Sequence, residues 1–249
     1  MTTGVTAQQP RGEQVVTLHV WGVPVRRVGS ALARMALDRG PLRRAPGLTF
    51  AKLLGTGSGR TFTPTDADPR HWAILACWRD RGSADGFEQS APAQAWDRIA
   101  DERLRVTLTP LRSRGRWARR EPFASGALAR TGRVDGPVAA ITRARLVPAR
   151  ALAFWRATPP VVNELSGAEG LVLSLGIGEA PIGLQGTFSL WESSGALRRF
   201  AYAGAAHADV VSRTPRERWY AEELFARFAV EGVDGTYRGR VPLKGMTTR

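Results

Sequence analysis

The sequence predicts an α+β fold built from two successive ferredoxin-like βαββαβ units in one 249-residue chain. Short strands rich in β-branched and aromatic residues alternate with longer helical stretches, and the order repeats. Trp78 and Trp191, and Phe87 and Phe200, recur at one spacing of 113 residues, without a gap between them. A pair of glycines closes the second strand of each unit, Gly55 and Gly57 in the first, Gly176 and Gly178 in the second.

In the first unit, residues 15–20 alternate as a strand, 27–39 have helical periodicity, and 48–54 form a strand running into the glycines. A strand over 71–78 follows, then a helix over 83–100 interrupted at Pro92, and a closing strand over 103–108. The second unit repeats the order with a strand at 138–146, a helix at 151–165, strands at 171–175 and 185–191, a helix at 196–211 and a last strand at 225–230. Each unit leaves one sheet face apolar, and two units can cover each other, so a sheet-against-sheet barrel is expected. The units are assigned to residues 14–112 and 136–232. Residues 113–135, rich in Arg and Gly, are expected to form an irregular, solvent-facing linker.

Composition excludes several classes. Hydrophobic residues make up 43% and charged residues 23%, ordinary values for a globular chain. No apolar run reaches the length of a membrane span and residues 1–14 lack a secretory layout, so a cytoplasmic protein is expected. The single cysteine, Cys77, offers neither a disulfide nor a zinc-type pair. The net charge of +14 is almost all arginine, since Lys52 and Lys244 are the only lysines. GC-rich coding produces that imbalance without selection for a ligand, and no recognition motif accompanies it, so specific nucleic-acid binding is not expected. The densest cluster, Arg112, Arg114, Arg116, Arg119 and Arg120 around Trp117, is the place where a peripheral contact with lipid head groups fits.

The repeat also singles out residues that differ between units. His207 occupies the position of Gln94, and Ala203, Gly204, Ala205, Ala206 and Ala208 leave its imidazole room for a flat cofactor. A solitary helix histidine is equally consistent with a surface or a hydrogen-bonded core position. His19 alternates on the first strand toward solvent or a barrel interior, His71 begins a strand after a turn, and Cys77 matches Leu190 as a core thiol. Gly55-Thr-Gly-Ser-Gly lacks the spacing and the following helix of a phosphate-binding loop and reads as a strand-ending turn.

Several segments in order, from Lys52-Leu-Leu-Gly-Thr-Gly-Ser-Gly, Phe62-Thr-Pro and Ala73-Ile-Leu-Ala-Cys-Trp in the first unit to Gly136-Pro-Val-Ala-Ala-Ile-Thr-Arg-Ala, Phe154-Trp, Gly176-Ile-Gly-Glu-Ala-Pro, Thr187-Phe-Ser-Leu-Trp, Ala205-Ala-His-Ala-Asp and Trp219-Tyr-Ala-Glu-Glu-Leu-Phe-Ala-Arg-Phe in the second, resemble the spheroidene monooxygenase (carotenoid ketolase) family. The resemblance runs from about Val15 to Val230 and implies a haem b oxygenase that turns a carotenoid methylene into a ketone. It also implies kinship with dimeric α/β-barrel haem proteins, including aldoxime dehydratases, in which a helix histidine holds the iron. On that footing His207 is the expected iron ligand. Ser174, Gln185, Phe188 and Phe200 are expected to line the cofactor pocket, and Arg143, Thr187 and Ser189 to supply catalytic polar groups. Small hydroxyls on strands are equally consistent with a half-buried sheet, and aromatics at these spacings with a core.

Nothing resembles a flavin or nicotinamide site, so an unidentified electron-donor protein is implied beside a hydrophobic small-molecule substrate. Homo-oligomerisation is left open. Two further readings stand beside the monooxygenase: a haem-dependent dehydratase or nitrogen-chemistry enzyme of the aldoxime dehydratase type, and a non-catalytic barrel binding haem or an apolar ligand.

Overall fold

The computed structural model describes residues 13–58, 66–123, 136–150, 164–179, 184–203, 219–243 and 245. Eight antiparallel strands, β1 Val15–Gly22, β2 Leu48–Gly57, β3 Ala67–Trp78, β4 Glu102–Gly115, β5 Val138–Leu146, β6 Leu171–Gly178, β7 Leu184–Trp191 and β8 Tyr220–Gly235, close into one barrel. Its order is β1-β3-β2-β6-β7-β5-β8-β4. Each unit contributes four strands in the ferredoxin-like order, and the units join edge to edge where β2 meets β6 and β4 meets β8. The expected barrel is closed by this edge pairing, which leaves no strand edge open. The fold is α+β, a tandem ferredoxin-like repeat forming a single-chain α/β barrel.

Alternation explains why the strands fit. Val16, Leu18 and Val20 of β1, Leu75 and Cys77 of β3, Leu104 and Val106 of β4, Ile141 of β5, Leu175 of β6, Phe188 of β7 and Phe228 of β8 share one buried cluster that fills the barrel. The intervening residues face outward, beneath the helices. In the first unit Trp21, Ile74, Ala76 and Trp78 pack there with Ala31, Ala84, Phe87, Ala93 and Trp96.

Those helices are α1 Val28–Leu37, preceded by a 3-10 turn at Val25–Arg27, then α2 Arg39–Arg43, α3 Arg81–Gly86 and α4 Ala91–Asp97. The helix expected over 83–100 breaks before Pro92, at a 3-10 turn over Phe87–Gln89. Asp80 caps α3 by accepting from the Ser83 N–H at 2.7 Å, and Ser90 caps α4 through the Ala93 N–H. Pro92 lies in the first turn of α4, where a missing N–H costs nothing. In the second unit α5 spans Ser194–Ala203. Residues 151–163 and 204–218, which carry most of one expected helix and half of another, lie outside the described residues.

An approximate twofold axis relates the units. It passes through the pair Gly55–Gly178 at one seam and Thr109–Ala229 at the other. The register therefore equates Gly55 with Gly178, not with Gly176 as the order of the glycine pairs suggests.

The start of the expected linker is structured. β4 runs to Gly115, Trp117 bridges to Arg120, and Trp117 and Phe123 are buried in the barrel core, against Phe50 and Phe228 respectively. Residues 113–123 are therefore not irregular, and Trp117, Pro122 and Phe123 are buried, while Arg114, Arg116 and residues 118–121 face solvent as expected; residues 124–135 lie outside the described residues. The same turn recurs after β8, where Tyr237 bridges to Arg240. Gly115 and Gly235 begin the turns at φ of 93° and 90°, and a Cβ on either would fall 2.2 or 2.0 Å from a carbonyl oxygen of the neighbouring strand.

Candidate functional site

The outward face of the second-unit sheet is the chief candidate, and comparison with the first unit exposes it. Val15 stands opposite Trp78 on β1 and β3, as Val138 does opposite Trp191 on β5 and β7, so outward residues correspond one to one. At this shared end packing is conserved. The Trp78 and Phe87 rings lie 5.2 Å apart and those of Trp191 and Phe200 lie 5.3 Å apart.

Farther along, bulk disappears. Where the first unit has His19 and Trp21 on β1, the second has Thr142 and Ala144 on β5. Where it has Trp72, Ile74 and Ala76 on β3, the second has Gln185, Thr187 and Ser189 on β7. Where it has Ala51 and Leu53 on β2, the second has Ser174 and Gly176 on β6. His19, Trp21 and Ile74 are fully buried, whereas Thr142 is exposed and Ser174, Thr187 and Ala144 are half-buried. The first unit fills the layer between sheet and helices; the second lines its sheet with short side chains, several bearing hydroxyls.

Ser189 is positioned by this substitution. In the first unit the Trp78 indole donates to Thr17 Oγ1 at 2.9 Å, but Ala140 occupies the matching place, and Trp191 Nε1 donates to Ser189 Oγ at 2.9 Å instead. The Ser189 hydroxyl proton is then left to donate elsewhere.

The expected site residues divide between two faces. Ser174, Thr187 and Ser189 come together on the outward face, with Phe200 packing on Trp191 from α5. The Gln185 backbone pairs with Ala144 on the same sheet, and its side chain lies outside the described residues. His207 lies outside them as well. Phe188 and Arg143 point the other way. Phe188 is core inside the barrel, and Arg143, alternating with Ala139 and Ile141, is 4% exposed at one barrel end. A cofactor on the outward face is therefore not lined by Phe188, and Arg143 is separated from the hydroxyls by the sheet itself.

Arg143 is tied up there. Its guanidinium donates to Glu179 at 3.0 Å and to Glu222, and lies over the Trp117 ring at 5.5 Å. Glu179 also accepts from Trp117 Nε1 at 2.6 Å and from Lys52. Glu222 caps the turn after β4, accepting from the Ala118 and Arg119 N–H groups at 3.0 and 2.7 Å. Burial works against the Glu222 anion, but hydrogen bonds from Arg119, Arg143 and Ala118 outweigh it and lower its pKa.

The opposite barrel end carries the twofold counterpart. Glu102, 120 residues before Glu222, caps the turn after β8 through Arg238 and Gly239 N–H groups at 2.9 and 2.6 Å and the Thr236 hydroxyl at 2.9 Å. His71 joins it, with Nδ1 2.8 Å from Asp68 and Nε2 3.2 Å from Glu102. Burial disfavours the imidazolium, yet the two carboxylates prevail and raise its pKa, while His71 and Arg238 hold Asp68 far below the ordinary range. A recess of about 480 Å³ opens here, lined by Gly22, Arg70, Asp101 and this cluster. Its charged groups satisfy one another, and His71, inside β3 and not at its start, is a buried structural residue of the seam. Only the spacing of Glu102 with Gly115-x-Trp117, repeated as Glu222 with Gly235-x-Tyr237, signalled these clusters in the sequence.

The other candidate ligands, His19 and Cys77, are buried away from the outward second-unit face, and the Nε2 of His19 has no hydrogen-bond partner among the described residues. His19 lies under the first-unit helices, stacked on Trp21 at 5.4 Å and edge-on to Phe87 at 5.2 Å. Burial, Arg103 and Arg105 lower its pKa, so its 3.6 Å approach to Glu88 is not an ion pair. Cys77 is buried inside the barrel, and burial raises its thiol pKa. Among the described residues no group of three or more His, Cys, Asp or Glu is arranged to hold a metal ion, and no helix is long and apolar enough to cross a membrane.

No family profile matches the chain. It is similar to three proteins named spheroidene monooxygenase. That of Rhodobacter capsulatus is 35% identical over 213 residues, 85% of this chain and 88% of the relative. That of Cereibacter sphaeroides is 33% identical over 88% of this chain and 67% of the relative, and that of Rubrivivax gelatinosus 33% identical over 92% and 86%. Among solved structures, an aldoxime dehydratase superimposes with a TM-score of 0.58 at 12% identity, covering 88% of this chain and 82% of that one, a likeness of fold alone. Kinship in sequence extends across both units and through the strands that carry the outward-facing hydroxyls, and the chain belongs to the spheroidene monooxygenase family.

Proposed function

We propose that the chain is a haem-dependent monooxygenase that oxidises a hydrophobic, carotenoid-type substrate on the outward face of its second-unit sheet. One observation carries this reading: at matching positions of one scaffold, His19, Trp21, Trp72, Ile74 and Leu53 are replaced by Thr142, Ala144, Gln185, Thr187 and Gly176. The family relation supports the reaction class.

The described residues fit a flat, bulky group. Gly176, Ala140 and Ala144 present almost no side chain above the sheet, and Phe200 packs beside it on the buried Trp191. His207 is the residue that would hold the iron, with Ser174 and Gln185 proposed beside the group. When bound, haem would supply oxygen activation. The chain would contribute orientation and protons: Ser189, its oxygen lone pair engaged by Trp191, keeps its hydroxyl hydrogen free to donate on this face, and Thr187 lies two residues away on the same face. Arg143 is assigned to holding the barrel end, not to chemistry. Electrons come from a separate donor protein.

The test is turnover of an acyclic carotenoid by haem-supplemented protein with an electron-donor system, under isotopically labelled oxygen. A labelled keto product supports the proposal. Oxygen-independent conversion of an aldoxime, or no turnover by fully haem-loaded protein, contradicts it.

A further inference from the structure

Helix α1 is apolar on its exposed side. It buries Ala31, with Val28 and Met35 packed at the core margin, as an amphipathic helix should. Its outward side carries Gly29, Leu32, Ala33, Ala36 and Leu37, all exposed, and Val25 in the preceding turn continues it. Val25, Leu32 and Leu37 are 74%, 56% and 59% exposed, so three of the five large hydrophobic side chains found exposed among the described residues fall within thirteen positions. A surface helix with apolar side chains on its exposed side as well as its buried one is normally covered by something.

Charge decides what covers it. Arg26 and Arg27 precede the helix, and Arg39, Arg43 and Arg44 follow it, all exposed. The only carboxylate between Pro24 and Gly47 is Asp38, which is 3% exposed and paired with Arg34 at 3.2 Å. Docking against a second copy would bring these arginines together, so self-association is opposed. A partner that accepts leucines between two clusters of arginines is an anionic lipid surface, where a helix lying in the interface sinks its apolar side and its cationic ends meet phosphates.

We infer that α1, with the turn before it and α2 after it, is a peripheral docking surface for anionic bilayers. The surface lies on the first-unit side of the barrel, across from the second-unit sheet, so it holds the protein at the membrane without covering the proposed site. The inference does not depend on haem. It also moves the lipid contact away from the Arg112–Arg120 cluster, where Trp117 is core.

Sedimentation with phosphatidylcholine vesicles containing about 30 mol% phosphatidylglycerol, against pure phosphatidylcholine, tests it. Wild-type protein should bind the anionic vesicles, more weakly at high salt, and not the neutral ones. Leu32→Gln with Leu37→Gln, and separately Arg26→Gln with Arg27→Gln and Arg43→Gln, should each weaken binding about tenfold or more, with unchanged melting temperature because the sites are exposed. The inference is overturned if wild type ignores anionic vesicles or if the leucine variant binds normally. It is equally overturned if the leucine pair instead dissolves a dimer seen by light scattering, or if neutralising Arg112, Arg114 and Arg116 abolishes binding while the α1 variants retain it.

Discussion

Replacing Arg143 by Met should loosen one barrel end without touching the outward face. The guanidinium is 4% exposed and bridges Glu179 and Glu222 while covering the Trp117 ring. Removing one partner of a buried ion pair costs about 3–5 kcal/mol, because the remaining charge is left desolvated. Here the carboxylates retain help: Glu222 keeps the Ala118 and Arg119 N–H groups, Glu179 keeps Lys52 and Trp117, and their side chains remain 10% and 17% exposed. The expected loss is therefore about 2–3 kcal/mol. For a chain of this size that lowers the melting temperature by roughly 5–10 °C. Both seams are hydrogen-bonded, so one cooperative transition should shift as a whole. Thermal unfolding measures the shift, and haem retention and turnover of the folded variant serve as the control. A melting temperature within about 2 °C of wild type would refute the energetic reasoning. Lost turnover with intact stability would return Arg143 to the chemistry.

Three further outcomes are expected. Ala144→Trp, which installs the bulk that Trp21 supplies in the first unit, should lower haem affinity at least about tenfold in a titration while the melting temperature holds, since the layer it fills is filled in the sister unit. The His71 cluster makes stability depend on pH in both directions: Asp68 and Glu102, with lowered pKa values, lose their contribution as pH falls below about 4, and His71, with a raised value, loses its contribution as pH rises beyond about 6.5 through its folded pKa. Melts across pH should thus show a maximum between those limits, and His71→Gln should flatten its alkaline side. Gly235→Ala puts a Cβ 2.0 Å from the Arg103 carbonyl at φ 90° and should cost about 1–3 kcal/mol in urea unfolding, while Gly239→Ala, also at positive φ but with open space around it, should cost less.

Much of the scaffold is legible in the sequence because strand alternation and the Trp78/Trp191 spacing are local signals that survive duplication. Strand ends are not. β4 and β8 run to Gly115 and Gly235 because they pair with each other across the seam, and pairing between units leaves no mark on either strand alone. For the same reason the twofold register, which equates Gly55 with Gly178, could not be read from the order of the glycines. Parity within a strand is readable, and it places Thr187 and Ser189 on one side and Phe188 on the other. Arg143 misleads because an arginine on a strand suggests an outward or functional position; its companions Glu179, Glu222 and Trp117 come from three other stretches of chain. The short side chains of the second-unit face were also latent, since they stand out only when positions are matched through the barrel register.

The most direct test of the central claim is the absorbance spectrum of recombinant protein titrated with haem, recorded for wild type, His207→Ala and His19→Ala. The account predicts a saturable Soret band for wild type, an unchanged band for His19→Ala if the fold survives, and no stable band for His207→Ala with its circular dichroism intact. An unaltered Soret band in His207→Ala, or no saturable binding by wild type, would contradict it.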